Sequence, residues 1–319
     1  MNTTGRRTMA GLVIVLLLIG GGGCSHGQDS KEAPAPSDGP HVVASLFPLQ
    51  WVAGEVLDGR GEVTALAGAG AEPHELELSP AQVATLGRAD VAVVVTGFQP
   101  ALDKALAQSA PRRIVDFAEV EATRRSSQTP TEGATAEGAA TPPAEGATAR
   151  NDPHLWLDPT RLSLLADELA FAFGEVDPDN AEHYREAALR VDLSLSALDG
   201  QFMSMLGACE RRVFVPDHAA YGYLAERYGL TQLAIGGIDP ESEPSPTRLG
   251  QIADEAREAG VTTVFYETGG SDQTARALAE LAGDLAVGAL DPLERDDGEG
   301  YIARMQANAV TLASAGGCL

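Results

Sequence analysis

The chain has 319 residues, enough for one large or two medium domains, and 44% of them are hydrophobic, enough for a packed core. Aromatic residues make up only 5%, so that core must rely on Val, Leu and Ala. Forty-six acids against 22 bases give a net charge of −24, which argues against a nucleic-acid partner because phosphate binding needs clustered Lys and Arg.

In chain order, the first predicted element is a targeting signal. Arg6 and Arg7 precede the apolar run MAGLVIVLLLIG, which is short for a membrane span, and GGGC follows, ending at Cys24. Small residues directly before a cysteine resemble a bacterial lipobox, with Gly21 where that motif usually has Leu. The expectation is a signal peptide over 1–24 with Cys24 lipidated, then a polar tether over 25–40. The rest of the chain would stand outside the cytoplasm. Cys209 and Cys318 then remain, and in an oxidising compartment they suggest one disulfide, with two buried thiols as the alternative.

Short β-branched runs alternate with helical patterns, the sign of α/β architecture. Strands are expected over 41–47, 62–66, 90–97 and 112–117, and again over 211–216, 231–235, 262–267 and 286–290. This predicts two four-stranded parallel units, one on each side of residue 180. Helical stretches such as SPAQVATLGRA and SPTRLGQIADEAREAG fall between the strands. Residues 121–150 break the pattern. The pentamer EGATA occurs there at 132–136 and at 145–149, and such a segment cannot bury enough apolar area to fold, so it reads as a disordered insertion. Residues 178–206 predict one long helix: Asp177 and Pro178 make a good start, and apolar or small residues recur at alternating spacings of four and three from Tyr184 to Met205. At about 1.5 Å per residue it would reach roughly 40 Å, long enough to span two lobes. A coiled-coil segment, or two helices broken at Gly200, are the alternatives.

Of the six histidines, His26 lies in the tether, His41 opens a strand and His183 sits among charges in the long helix; all three read as exposed or locally bonded. His74, His154 and His218 share another setting: each has a proline within two residues before it and falls in a loop. In parallel α/β sheets ligands bind beyond the carboxyl ends of the strands. His74 and His218 follow predicted strands, and Asp291 directly follows the last one. Any one of these histidines alone would read as a capping or hydrogen-bonded loop residue. Three together, two of them at strand ends in opposite halves, point to a metal.

The segments PHELELSP, DPHLWLDP, PDHAAYGYLAERYGL and LDPLE, in that order, resemble the metal-binding lipoproteins of zinc and manganese ABC importers, and YIARMQANAVTLASA resembles that family's last helix. The resemblance runs from about His41 to the C-terminus. It implies an N-terminal α/β lobe over 41–177, a linking helix over 178–206 and a C-terminal lobe over 207–319. Each lobe would carry a four-stranded parallel sheet flanked by helices, with the metal in the cleft between them. The implied ligands are His74 and His154 from the first lobe and His218 and Asp291 from the second. Trp156 and Asp158 are expected to pack and cap the following helix. Glu267, at the end of its strand, is expected to support the site from beside the cleft, with an exposed carboxylate as the alternative.

Three imidazoles and one carboxylate suit Zn²⁺, whereas Mn²⁺ favours more oxygen and sits low in the affinity order. Manganese members of the family resemble a pattern with glutamate where this chain has His218. Zinc members often carry a histidine-rich loop where 121–150 lies, and here that loop has no histidine. Four protein ligands leave no position for a catalytic water, so binding rather than catalysis is expected. The resulting expectation is a lipid-anchored monomer of the bacterial cell envelope that hands Zn²⁺ to an ABC permease and its ATPase. The alternatives are a manganese or iron binder, a surface adhesin, and a zinc hydrolase using Glu267 as base. Because binding needs neutral imidazoles, affinity is expected to fall as pH drops through about 6.5.

Overall fold

A computed structural model describes residues 39–68, 72–127, 152–240, 242 and 244–318. The expected signal peptide, Cys24, His26, nearly all of the tether and residues 128–150 of the expected insertion lie outside the described residues.

The first half of the chain alternates β1 (His41–Ala44), α1 (Phe47–Leu57), β2 (Glu62–Ala65), α2 (Pro80–Leu86), β3 (Val91–Val94), α3 (Pro100–Leu106), β4 (Arg113–Asp116) and α4 (Phe117–Ser127). Its strands form one parallel sheet in the order β2-β1-β3-β4, with Val43 opposite both Thr64 and Ala92. The two central strands read HVVA and VAVV and are buried almost throughout. That continuous apolar pattern is what a parallel sheet covered on both faces requires. Helix α4 continues to Ser127, into the segment expected to be unfolded from 121. Composition misled there because a tertiary contact overrides it: Glu121 is fully buried and paired with Arg161 and Arg124.

Two helices follow, α5 (Pro159–Val176) and α6 (Ala181–Leu206), the second preceded by a 3-10 turn over Pro178–Asn180. Asp177 holds that turn by accepting from Asn180 Nδ2 and Tyr184 Oη. At about 1.5 Å per residue, α6 is about 39 Å long, and Gly200 does not interrupt it. Its buried stripe of Tyr184, Ala188, Val191, Leu195, Leu198 and Phe202 belongs to one apolar core. That core runs from β1 and α1 through α5 into the elements of the second half.

The second half contains β5 (Val213–Phe214), α7 (Gly222–Tyr228), β6 (Thr231–Gln232), α8 (Pro246–Glu258), β7 (Thr263–Glu267), α9 (Gln273–Ala282), β8 (Ala286–Leu290) and α10 (Tyr301–Gly316). The expected four-stranded sheet takes the form of two parallel pairs, β5-β6 and β7-β8, joined by a bridge between Val215 and Val264. Strands expected over 211–216 and 231–235 shorten to two residues each. Pro216 cannot donate to a ladder, although its carbonyl still accepts from Ile235 and the Val215 carbonyl from Phe265. A disulfide joins Cys209, just beyond α6, to Cys318, just beyond α10.

Candidate metal centre

Each of the three loop histidines is held by an acid one or two residues before it. In EPH, the Glu72 carboxylate accepts the His74 N–H at 3.3 Å. In DPH, Asp152 Oδ1 accepts both the backbone N–H of His154, at 3.0 Å, and its ring Nδ1, at 2.8 Å. In DH, Asp217 Oδ1 accepts the backbone N–H of His218 at 2.8 Å and its Nδ1 at 3.1 Å. A carboxylate that takes Nδ1–H fixes the tautomer and turns the Nε2 lone pair of the neutral ring outward. Asp217 reaches further, because its other oxygen accepts the N–H of Glu267 at the end of β7.

These supports bring the three rings together. His74, His154 and His218 have centroids 5.6 to 6.1 Å apart. A fourth residue joins them, and it is Glu294 rather than Asp291. The Glu294 carboxylate is fully buried, with Oε1 3.1 Å from His154 Nε2 and 3.5 Å from His218 Nε2, and Oε2 3.4 Å from His74 Nε2. Among the described residues these four form the larger of two groups of side chains that could hold a metal ion; the other is Asp217, His218 and Glu267.

Asp291 is turned away by its own bonds. Its carboxylate takes Arg304 Nε at 2.6 Å and Nη2 at 2.8 Å, and caps the turn through the Leu293 N–H at 2.8 Å. Leu293 then adopts φ +59°, a left-handed conformation that costs a leucine about 1–2 kcal/mol. That turn swings Glu294 into the cluster. LDPLE contained the right residue, but a carboxylate directly after a strand drew attention from the one three positions later.

Glu267 is buried, with Oε2 3.9 Å from His218 Nδ1 and Oε1 3.2 Å from Arg295 Nη2. It therefore lies on the outer side of His218. Burial and the Glu294 charge push its carboxyl up to about 8, against the pull of His218 and Arg295. Trp156 and Asp158 pack and cap: Trp156 is fully buried with Nε1 donating to the Pro292 carbonyl at 2.7 Å, and Asp158 accepts the Thr160 N–H at the start of α5. The other described histidines stand apart, His41 on Thr64 and His183 beside Asp58.

The electrostatics couple the donors. Burial disfavours the charged form of His154, yet its bonds to Asp152 and Glu294 outweigh that and raise its pKa. Burial likewise opposes protonation of His218, while Asp217 and Glu294 prevail and lift it to about 10. Burial would raise Glu294, but the three imidazoles hold it well below the usual carboxylate range. In the metal-free pocket the Glu294 carboxylate thus favours the protonated forms of His154 and His218.

Even so, His74 Nε2, His218 Nε2 and Glu294 Oε2 are buried without a hydrogen-bond partner. Orphaned buried atoms of this kind are costly unless a ligand takes them. Their spacing suits zinc. Bonds of about 2.0–2.1 Å at a tetrahedral centre put donors about 3.4 Å apart; the three ring nitrogens lie 3.1, 3.4 and 3.5 Å from Glu294 oxygens, and all four donors lie within 4.8 Å of one another.

The chain belongs to the family described as zinc-uptake complex component A, periplasmic, whose model matches residues 42–315. It is similar to the high-affinity zinc uptake system protein ZnuA of Bacillus subtilis, 27% identical, with 89% of this chain and 90% of that protein covered. It is 31% identical to the zinc-binding lipoprotein AdcA of Streptococcus pneumoniae serotype 4 over 85% of its length, and spans about half, 55%, of that relative. Among solved structures it resembles the laminin-binding protein Lmb of Streptococcus agalactiae, described as bifunctional with adhesin and metal-transporting activity. The TM-score is 0.72 at 28% identity, covering 87% of this chain and 99% of that one.

Proposed function

We propose that this chain is an extracytoplasmic solute-binding protein that captures one Zn²⁺ between His74, His154, His218 and Glu294 and delivers it to an ABC permease and its ATPase. The observation that carries this reading is the convergence of three imidazoles on one buried carboxylate, with all four donor atoms within 4.8 Å of one another and three of the facing atoms left unpartnered. Zinc is cargo here. Four protein donors complete a tetrahedral set and leave no position for an activated water, which favours binding over hydrolysis.

In this reading residues 41–177 and 207–319 act as two lobes, with 178–206 as the linking helix. His74 and His154 come from the first lobe, His218 and Glu294 from the second. Separating the lobes would split the donors two and two, a direct physical route to release. The anchor is the lipid on Cys24, residues 25–40 are the tether, and the protein works as a monomer in the bacterial cell envelope. Names of relatives that bind or take up zinc support zinc over manganese or iron.

The test is metal analysis of protein purified without chelator, then stripped and titrated with Zn²⁺ against Mn²⁺. One zinc per chain that excess manganese does not displace is the expected result. Manganese preference overturns the choice of metal, and no bound metal overturns the site. Likeness to a laminin-binding adhesin favours a second reading, adhesion to a host glycoprotein. Binding to immobilised laminin that persists in His218→Ala would establish it as a separate activity.

A further inference from the structure

Arg295 follows Glu294 directly, yet its side chain serves two other carboxylates. Nη2 pairs with Glu72 Oε2 and lies 3.2 Å from Glu267 Oε1. Glu72 and Arg295 are 223 positions apart, one in each half of the chain. The other oxygen of Glu72 accepts the His74 N–H, and the other oxygen of Glu267 faces His218 Nδ1. Arg304 anchors the Arg295 backbone by donating Nη1 to its carbonyl at 2.6 Å. One largely buried guanidinium thus touches the supports of two histidines while sitting beside the carboxylate they share.

His74 has the greatest need of such a brace. His154 and His218 are each gripped by an aspartate at Nδ1. The His74 segment is fixed within the first half by Gln99 Nε2, which donates to the Pro73 carbonyl at 3.0 Å, and by Phe98, edge-on to the ring at 4.5 Å. The Arg295–Glu72 pair fixes that segment to the second half, where His218 and Glu294 stand.

We propose that Arg295 is a positioning residue for the metal site. With Glu72 it forms a clasp across the two halves that holds the His74 imidazole against the other three donors, and so sets how fast zinc leaves. This rests on the zinc-capture reading above. Without the clasp, His154, His218 and Glu294 still hold the ion while water replaces His74. Release therefore changes more than capture, as is usual when an interface contact is lost.

The experiment uses the full chain and the variants Arg295→Gln, Arg295→Lys, Glu72→Gln and the Arg295→Gln/Glu72→Gln pair. It reads zinc release into excess chelator and the visible spectrum of the Co²⁺-loaded protein, which responds to donor number. Each Gln single variant is expected to release zinc roughly tenfold faster or more, the size seen when outer partners of metal ligands are removed. The double variant should be no faster than either single, because the two residues act as one unit. Co²⁺ bands of Arg295→Gln should move towards those of His74→Ala, with Arg295→Lys between Arg295→Gln and wild type. Unchanged release in either Gln single variant, or accelerations that multiply in the double, overturns the clasp. Should Arg295→Gln fail to fold, Glu72→Gln carries the test on both readouts. A wild-type chain that takes up neither Zn²⁺ nor Co²⁺ overturns the capture reading itself; one that holds zinc while Glu72→Gln releases it at the wild-type rate overturns the clasp alone.

Discussion

His154 Nε2 lies 3.1 Å from Glu294 Oε1, and this contact across 140 positions makes Glu294 the carboxylate of the cluster. Asp291, only three residues earlier, is bound to Arg304 by both oxygens. The two acids should therefore fail in opposite ways. Glu294→Ala is expected to lose tight zinc binding while the metal-free protein stays folded, because His154 and His218 can shed their protons once the carboxylate that favours them is gone. Asp291→Ala should keep a stoichiometry of one zinc but lose about 3 kcal/mol of stability, because it removes the carboxylate that pairs with Nε and Nη2 of the buried Arg304. Zinc titration and chemical denaturation of both variants decide the matter. Loss of zinc in Asp291→Ala without loss of stability would return Asp291 to the ligand set.

Zinc and protons compete for the same atoms, and His154 and His218 favour protons more than free histidine does. His218 is raised to about 10 by Asp217 and Glu294, against the effect of burial. His154 is raised by Asp152 and Glu294. A metal that needs neutral rings must displace these protons even at neutral pH. Apparent zinc affinity is therefore expected to keep rising with pH above 6.5 and to level off near 10. Competition with a chelator of known pH dependence measures this. A plateau reached by pH 7 would mean that the rings are already neutral in the metal-free protein.

The same protons stabilise the metal-free fold. A group whose pKa is higher folded than unfolded adds stability below its unfolded value, near 6.5 for histidine, and that contribution disappears as pH rises through its folded value. For His218 the loss falls between about 6.5 and about 10. The melting temperature of stripped protein should accordingly drop across this interval, and saturating zinc should flatten the drop, since the metal takes the protons' place. Calorimetry with and without zinc provides the comparison. Parallel curves for the two forms would disprove the coupling.

Much of this site was legible before any coordinates. His74, His154 and His218 stood out by residue type and by the prolines before them, and His74 and His218 also by their places after strands. Less visible were the contacts that select among neighbouring acids. Glu294 enters through a left-handed Leu293, a backbone state that leucine seldom signals, and Asp291 leaves through an arginine on α10. A local signal did exist in EPH, DPH and DH, where an acid just before each histidine braces it. In the fold, periodicity located the strands well. It overestimated β5 and β6, where pairing continues past the regular strand, while composition began the insertion at 121, inside α4, where Glu121 pairs with Arg161 of α5.

Trp156 links the two turns that present His154 and Glu294, which gives the last prediction. The indole Nε1 donates to the Pro292 carbonyl at 2.7 Å, and the Trp156 carbonyl accepts from Tyr301 Oη at 2.6 Å. Both partners are buried and belong to the second half of the chain. Phenylalanine at this position would keep an aromatic ring and the backbone bond to Tyr301, but would leave the Pro292 carbonyl without its donor. An unsatisfied buried carbonyl costs about 1–3 kcal/mol, and Trp156→Phe should destabilise the protein by that amount. Zinc affinity should fall as well, because Glu294 is two residues from the carbonyl that loses its anchor. His154, held by Asp152, should stay in place, so one zinc should still bind. Denaturation and zinc titration of Trp156→Phe test both parts. Wild-type stability would show that the indole bond contributes nothing net, and wild-type affinity in a destabilised variant would show that the two turns are not coupled through it.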